Sequence, residues 1–159
     1  SQPGSGATFH LYFPAADVAA EAAGAQAAPV SLPPGRGQQV LYLDDDESLV
    51  ILVKRTLERS GYRVAGYTDA AQALQALRAD PGGFDLVVTD YNMPGMSGLE
   101  VAREVSRIRP ELPVAVTSGY ITDELREMAP AAGVRELVYK PDSAEDLCET
   151  VRRLLDQGT

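Results

Sequence analysis

Asp44, Asp45, Asp90, Ser118 and Lys140 stand at or just past the ends of four short apolar runs. Those runs are Val40-Leu-Tyr-Leu43, Leu86-Val-Val88, Leu112-Pro-Val-Ala-Val116 and Glu136-Leu-Val-Tyr139. Taken singly, the polar residues read as an acidic loop, a turn, a capping serine and a surface lysine. Taken together, they place three carboxylates, a hydroxyl and an ammonium at successive strand ends. A net charge of -9 suits a site that needs a cation and disfavours non-specific binding to nucleic acid or anionic lipid.

The elements around these residues follow from the local pattern. Leu86-Val87-Val88 is too short for a helix and rich in β-branched residues, as in a buried strand. It ends on Asp90. The turn Asn92-Met93-Pro94-Gly95 follows, and then Ser97 and Glu100, spaced as a capping box. The unit is strand, acid, turn, helix, with the helix running to about residue 109 before Pro110 stops it. Upstream, residues 40–43 form the first strand and residues 47–60 a helix whose apolar stripe is Leu49, Leu52, Val53, Thr56 and Leu57, ended by Gly61. Residues 62–65 form a second strand. Asp69 and Gln72 cap a helix with Ala73, Leu74 and Leu77 facing inward. Downstream, residues 112–116 form the fourth strand. Thr122 caps a helix to about residue 129, with Pro130 behind it, and residues 136–139 form the fifth strand. Ser143 and Asp146 cap the last helix, which carries Leu147, Val151, Leu154 and Leu155. Five strand-helix pairs in about 120 residues predict an α/β fold: a three-layer, doubly wound parallel sheet with right-handed crossovers. Order 2-1-3-4-5 is favoured, and it gathers the polar strand ends at one switch point.

The length of 159 residues suits one domain plus appendages. The single cysteine, Cys148, cannot form an internal bridge and fits a reducing compartment. No run approaches the roughly 18 apolar residues of a membrane span. Residues 15–38 are rich in Ala, Pro and Gly and read as a linker between residues 1–14 and a domain over 39–157. Within residues 1–14, strand composition over 8–13 ends at Pro14. His10, the only histidine, reads as a strand residue without a catalytic role.

Four motifs carry a resemblance: Leu43-Asp-Asp-Asp46, Thr89-Asp-Tyr-Asn-Met-Pro-Gly-Met-Ser-Gly98, Pro113-Val-Ala-Val-Thr-Ser-Gly119 and Tyr139-Lys-Pro141. Residues 38–157 resemble a receiver domain of two-component signalling, a response regulator with a flavodoxin-like fold. The resemblance implies that Asp90 is the phosphoacceptor, receiving a phosphoryl group from a phosphohistidine. It implies that Mg²⁺ is held by Asp45, Asp90, the backbone carbonyl of Asn92, and Asp44 acting through water. Ser118 and Lys140 would take phosphoryl oxygens, Gly119 would leave room for them, and the bond before Pro141 would be cis. The chemistry is coherent with this. A carboxylate can form an acyl phosphate, and phosphoryl transfer needs charge neutralised on the transferring oxygens. Mg²⁺ takes oxygen ligands and keeps several waters. Such a domain is not a conventional enzyme, although it catalyses its own phosphorylation and dephosphorylation.

Two features depart from the family pattern. The hydroxyl is Ser118 rather than the commoner Thr, and Leu137 stands where the family often has an aromatic switch residue. Tyr139 is no substitute, because adjacent strand positions face opposite ways. Separately, residues 4–14 resemble the last glycine box and terminal strand of a histidine kinase ATP-binding domain. The leading expectation is therefore a cytoplasmic receiver at the C-terminal end of a bacterial hybrid sensor histidine kinase. Its partner would be a phosphohistidine domain, in cis or in trans, or a histidine phosphotransfer protein. Neither nucleic acid nor membrane contact is expected of this fragment. The alternative is a free-standing single-domain regulator acting by protein binding. A flavodoxin-like nucleotide binder is disfavoured, because three acids stand where a glycine-rich phosphate loop would follow the first strand.

Overall fold

A computed structural model describes residues 37–140 and 143–156. The expectations for residues 1–36 and for the bond before Pro141 lie outside the described residues. Five strands alternate with five helices: β1 Gln39–Leu43, α1 Glu47–Arg59, β2 Arg63–Tyr67, α2 Ala70–Ala79, β3 Leu86–Asp90, α3 Gly98–Ile108, β4 Val114–Ser118, α4 Asp123–Ala131, β5 Glu136–Tyr139 and α5 Ala144–Asp156. All strand pairs are parallel, in the order β2-β1-β3-β4-β5. The predicted order and layering are those found.

The sheet separates two apolar clusters. Leu41, Leu43, Val87, Val114 and Val116 point into one, with the inward faces of α2, α3 and α4. Val40, Tyr42, Leu86, Val88 and Ala115 point into the other, with α1 and α5. This alternation is the period-2 rule of a strand, with both faces covered by helices. β3 and β4 are buried at every residue, which accounts for the apolar runs 86–88 and 114–116 with which they begin.

Helix starts follow the predicted caps. Ser97 and Glu100 form both halves of a capping box. Asp69 accepts from the Gln72 amide, Thr122 from Leu125 and Ser143 from Asp146. Gly61 and Gly133, with φ of +88° and +79°, end α1 and α4 in the left-handed region that glycine tolerates.

Three local expectations need correction. The buried face of α1 is Val50, Val53 and Leu57; Leu52 is 52% exposed. Positions 49 to 53 are all apolar, so periodicity alone does not choose between neighbouring faces. Packing chooses: a Cβ at Gly66 on β2 would lie 2.5 Å from Val50 Cγ1, so the glycine lets α1 settle Val50 onto the sheet. Pro130 lies inside α4, not behind it. One lost amide is tolerable there because the helix ends at the next residue, where Ala132 and Gly133 amides take up the last carbonyls. β2 and β4 each run two residues further than predicted, because pairing extends Leu43 to Tyr67 and Ser118 to Tyr139.

Candidate functional site

The carboxyl ends of β1, β3, β4 and β5 form one edge of the sheet. Asp44 follows β1 directly and is fully buried. Its amide donates to the Tyr67 carbonyl, which fixes the backbone where the strand ends. One oxygen, Oδ1, accepts from the Asp46 amide at 3.0 Å. The other, Oδ2, lies 2.9 Å from Lys140 Nζ and 3.4 Å from the Tyr42 hydroxyl. Asp45 is exposed beside it. Asp46 is the N-cap of α1, accepting from the Ser48 and Leu49 amides. The acidic run therefore divides into a buried anion, an exposed anion and a helix cap.

Asp90 is the last residue of β3 and only 5% exposed. Its Oδ1 lies 3.2 Å from Lys140 Nζ, and its Oδ2 accepts from the Asn92 amide at 2.8 Å. The turn after it is tight: the Gly98 amide donates to the Tyr91 carbonyl, and a Cβ at Gly98 would stand 2.4 Å from the Asp90 carbonyl oxygen. Only glycine lets the start of α3 approach so closely.

Lys140 follows β5, and its backbone amide is anchored on the Ser118 carbonyl at 2.7 Å. Its ammonium thus bridges the two buried carboxylates. Partial burial works against the charge on Lys140, but the hydrogen bond and field of Asp44, helped by Asp90, prevail and raise its pKa. Ser118 closes β4 with its hydroxyl turned to its own loop, donating to the Tyr120 carbonyl at 2.8 Å and accepting from the Tyr120 amide at 3.3 Å. Nothing lies within 4 Å of where a Cβ at Gly119 would be, so that corner is open.

The structure thus brings Asp44, Asp90 and Lys140 into direct contact, with Asn92 beside them. Ser118 is engaged elsewhere. Among the described residues, no three histidine, cysteine or acidic side chains are gathered to hold a metal ion as they stand. Lys140 is the cation between Asp44 and Asp90. The donor set itself, carboxylates and one backbone carbonyl, is the hard-oxygen chemistry that Mg²⁺ takes. Leu137 is half-buried on β5 and lines a groove of about 400 Å³ with Ile121, Ala129, Pro130 and Val134. Among the described residues, no helix is long and apolar enough to cross a membrane.

Residues 40–152 match the family model of the response regulator receiver domain. The chain belongs to that family. The receiver resembles solved structures of the same kind: the chemotaxis protein CheY4 of Vibrio cholerae is 28% identical, with a TM-score of 0.68 over 74% of this chain and 98% of that one. The sensor kinase CckA of Brucella abortus is 28% identical over 99% of this chain, which spans 17% of CckA. The response regulator receiver protein CpdR of the same organism is 29% identical over 74% of this chain and 97% of CpdR. The chain spans about a quarter or less of the length of several curated relatives that it matches.

Sequence reasoning overlooks Tyr42, whose hydroxyl joins the acid cluster from within the core. The signal is present, because Tyr42 and Asp44 are two apart on an extended run and so share a face. It also overlooks Asp46 as a cap, which the spacing to Leu49 carries.

Proposed function

We propose that this receiver accepts a phosphoryl group on Asp90 from a phosphohistidine, with Mg²⁺. The observation that carries the reading is Lys140 bridging two buried carboxylates at neighbouring strand ends. A buried carboxylate held by one ammonium and one amide is aimed and ready as a nucleophile. An Asp90 oxygen attacks phosphorus; the phosphorus–nitrogen bond of the donor breaks, and its electron pair leaves with the imidazole. Lys140 follows the charge onto the transferring oxygens, and Ser118 exchanges the Tyr120 carbonyl for a phosphoryl oxygen. Asp45, Asp90, the Asn92 carbonyl, and Asp44 through water would hold Mg²⁺, which when bound supplies positive charge against those oxygens. Asp44, Asp45 and Asp90 repel one another, which favours uptake of a dication.

The parent protein, on this reading, is a hybrid sensor histidine kinase in the cytoplasm or anchored to its membrane, with phosphotransfer in cis or through a phosphotransfer partner. The match to the sensor kinase CckA supports this, because it extends over 99% of the chain and so reaches ahead of the receiver. The resemblance of residues 4–14 to a kinase ATP-binding domain points the same way, with residues 15–38 as the linker. A second reading, a free-standing regulator, is favoured by CpdR, nearly all of whose length the receiver matches.

Incubation with a small acyl phosphate and Mg²⁺ should add one alkali-labile phosphoryl group, and Asp90→Asn should abolish it. Undiminished labelling of Asp90→Asn would remove the central claim. The coding sequence ahead of Ser1 separates the two parent readings: a helix with a phosphorylatable histidine is expected there, and its absence favours the free-standing regulator.

A further inference from the structure

Tyr42 is a phenol in a β1 whose other buried residues are aliphatic, 2% exposed, and belongs to the apolar cluster under α1 and α5 that includes Val53, Val88 and Ala115. A buried hydroxyl needs a partner, and the one it reaches is Asp44 Oδ2 at 3.4 Å. That contact is long for an O–H···O bond. The same oxygen already holds the Lys140 ammonium at 2.9 Å. In this state, then, Lys140 is the principal donor and the phenol stands behind it. Burial and the field of Asp44, with smaller contributions from Asp90 and Asp46, raise the phenol's pKa above its ordinary value.

Lys140 also touches Asp90 Oδ1, and in the proposed reaction it follows charge onto oxygens beyond Asp90. Asp44 is fully buried, would reach Mg²⁺ only through water, and would then lose the direct charged donor on its Oδ2. A buried carboxylate left short of donors costs several times the net worth of an ordinary hydrogen bond. We propose that Tyr42 is a positioning residue, whose hydroxyl closes onto Asp44 Oδ2 when Lys140 moves to the phosphoryl group, holding the Asp44 carboxylate in place. This rests on the phosphoacceptor reading above. It predicts that the hydroxyl matters little to the resting protein and more to the phosphorylated form.

Tyr42→Phe keeps the ring and removes only the hydroxyl. The test titrates wild type and Tyr42→Phe with beryllium fluoride and Mg²⁺ as the phosphoryl mimic, and compares urea midpoints with and without it. The expected result is a loss of mimic affinity of about tenfold, the scale of a hydrogen bond to a charged group, with the mimic-free urea midpoint nearly unchanged. A merely structural hydroxyl would lower the midpoint equally in both forms and leave mimic affinity as in wild type. That result overturns the inference alone. If wild type itself fails to bind the mimic, the phosphoacceptor reading falls, and the role of Tyr42 with it.

Discussion

One ammonium serves two carboxylates at the centre of this receiver. Lys140 holds Asp44 at 2.9 Å and Asp90 at 3.2 Å, so a dication approaching the acids must compete with a charge already there. Removing that competitor should favour the metal. In Lys140→Met, Mg²⁺ affinity is expected to rise on the order of tenfold, equivalent to ~1.4 kcal/mol of relieved competition, while phosphorylation from a small donor slows. A Mg²⁺ titration of both proteins decides, and weaker binding in the variant would show that Lys140 organises the metal site instead of competing for it. Ser118 is a different case. Its hydroxyl is satisfied twice by Tyr120, so its recruitment to a phosphoryl group must break contacts as well as make one.

Helix starts are where this fold uses its polar side chains most densely, and α3 matters most because it begins on Asp90's doorstep. Ser97 accepts from the Glu100 amide, while Glu100 accepts from both the amide and the hydroxyl of Ser97. Ser97→Ala is expected to cost about 1 kcal/mol, the usual worth of an N-cap, read from urea unfolding. The hydrogen bonds from Ser97 hold the Glu100 carboxyl below its ordinary 4.5. A depressed carboxylate binds fewer protons folded than unfolded. Its stabilisation is therefore complete above the unfolded value and fades as pH falls through the folded one. The gap in urea midpoint between wild type and Glu100→Ala should accordingly be widest near neutrality and close as the pH drops below about 4. A gap that stayed constant to low pH would mean that the charge on Glu100 contributes nothing to the cap.

For the whole molecule, the question is how far an event at Asp90 travels. A ligand shifts a conformational equilibrium only through its different interactions with two states. Leu137, on β5, has neither a ring nor a polar tip to follow Ser118 inward, although it lines the groove between α4 and β5 where such a movement would register. The expected outcome is a response centred on the loops, with docking to a kinase resting more on α1, where Ile51 and Leu52 are exposed. Amide chemical shifts, recorded with and without beryllium fluoride and Mg²⁺, should change most over residues 44–46, 90–96 and 118–122 and fade beyond Leu137. Equally large changes along α4 and β5 would show that Leu137 transmits the switch.

Alternation of short β-branched runs with capped amphipathic segments was enough to determine the doubly wound parallel sheet and the edge where the polar residues meet, while the strand order went with the known order of such folds. These are local signals, and right-handed crossovers leave few ways to assemble them. The same signals located Asp44, Asp90 and Lys140, because each ends a strand. What local pattern could not decide was which of several chemically similar neighbours would be inside. Five apolar residues in a row on α1 left its face open until Gly66 admitted Val50. Of the three consecutive acids, Asp44 was singled out as the buried one only through contacts from Lys140 and the Asp46 amide. The division of Lys140 between two carboxylates depends on distances across strands whose residues stand 50 and 96 apart in sequence. Such distances exist only once the sheet has closed.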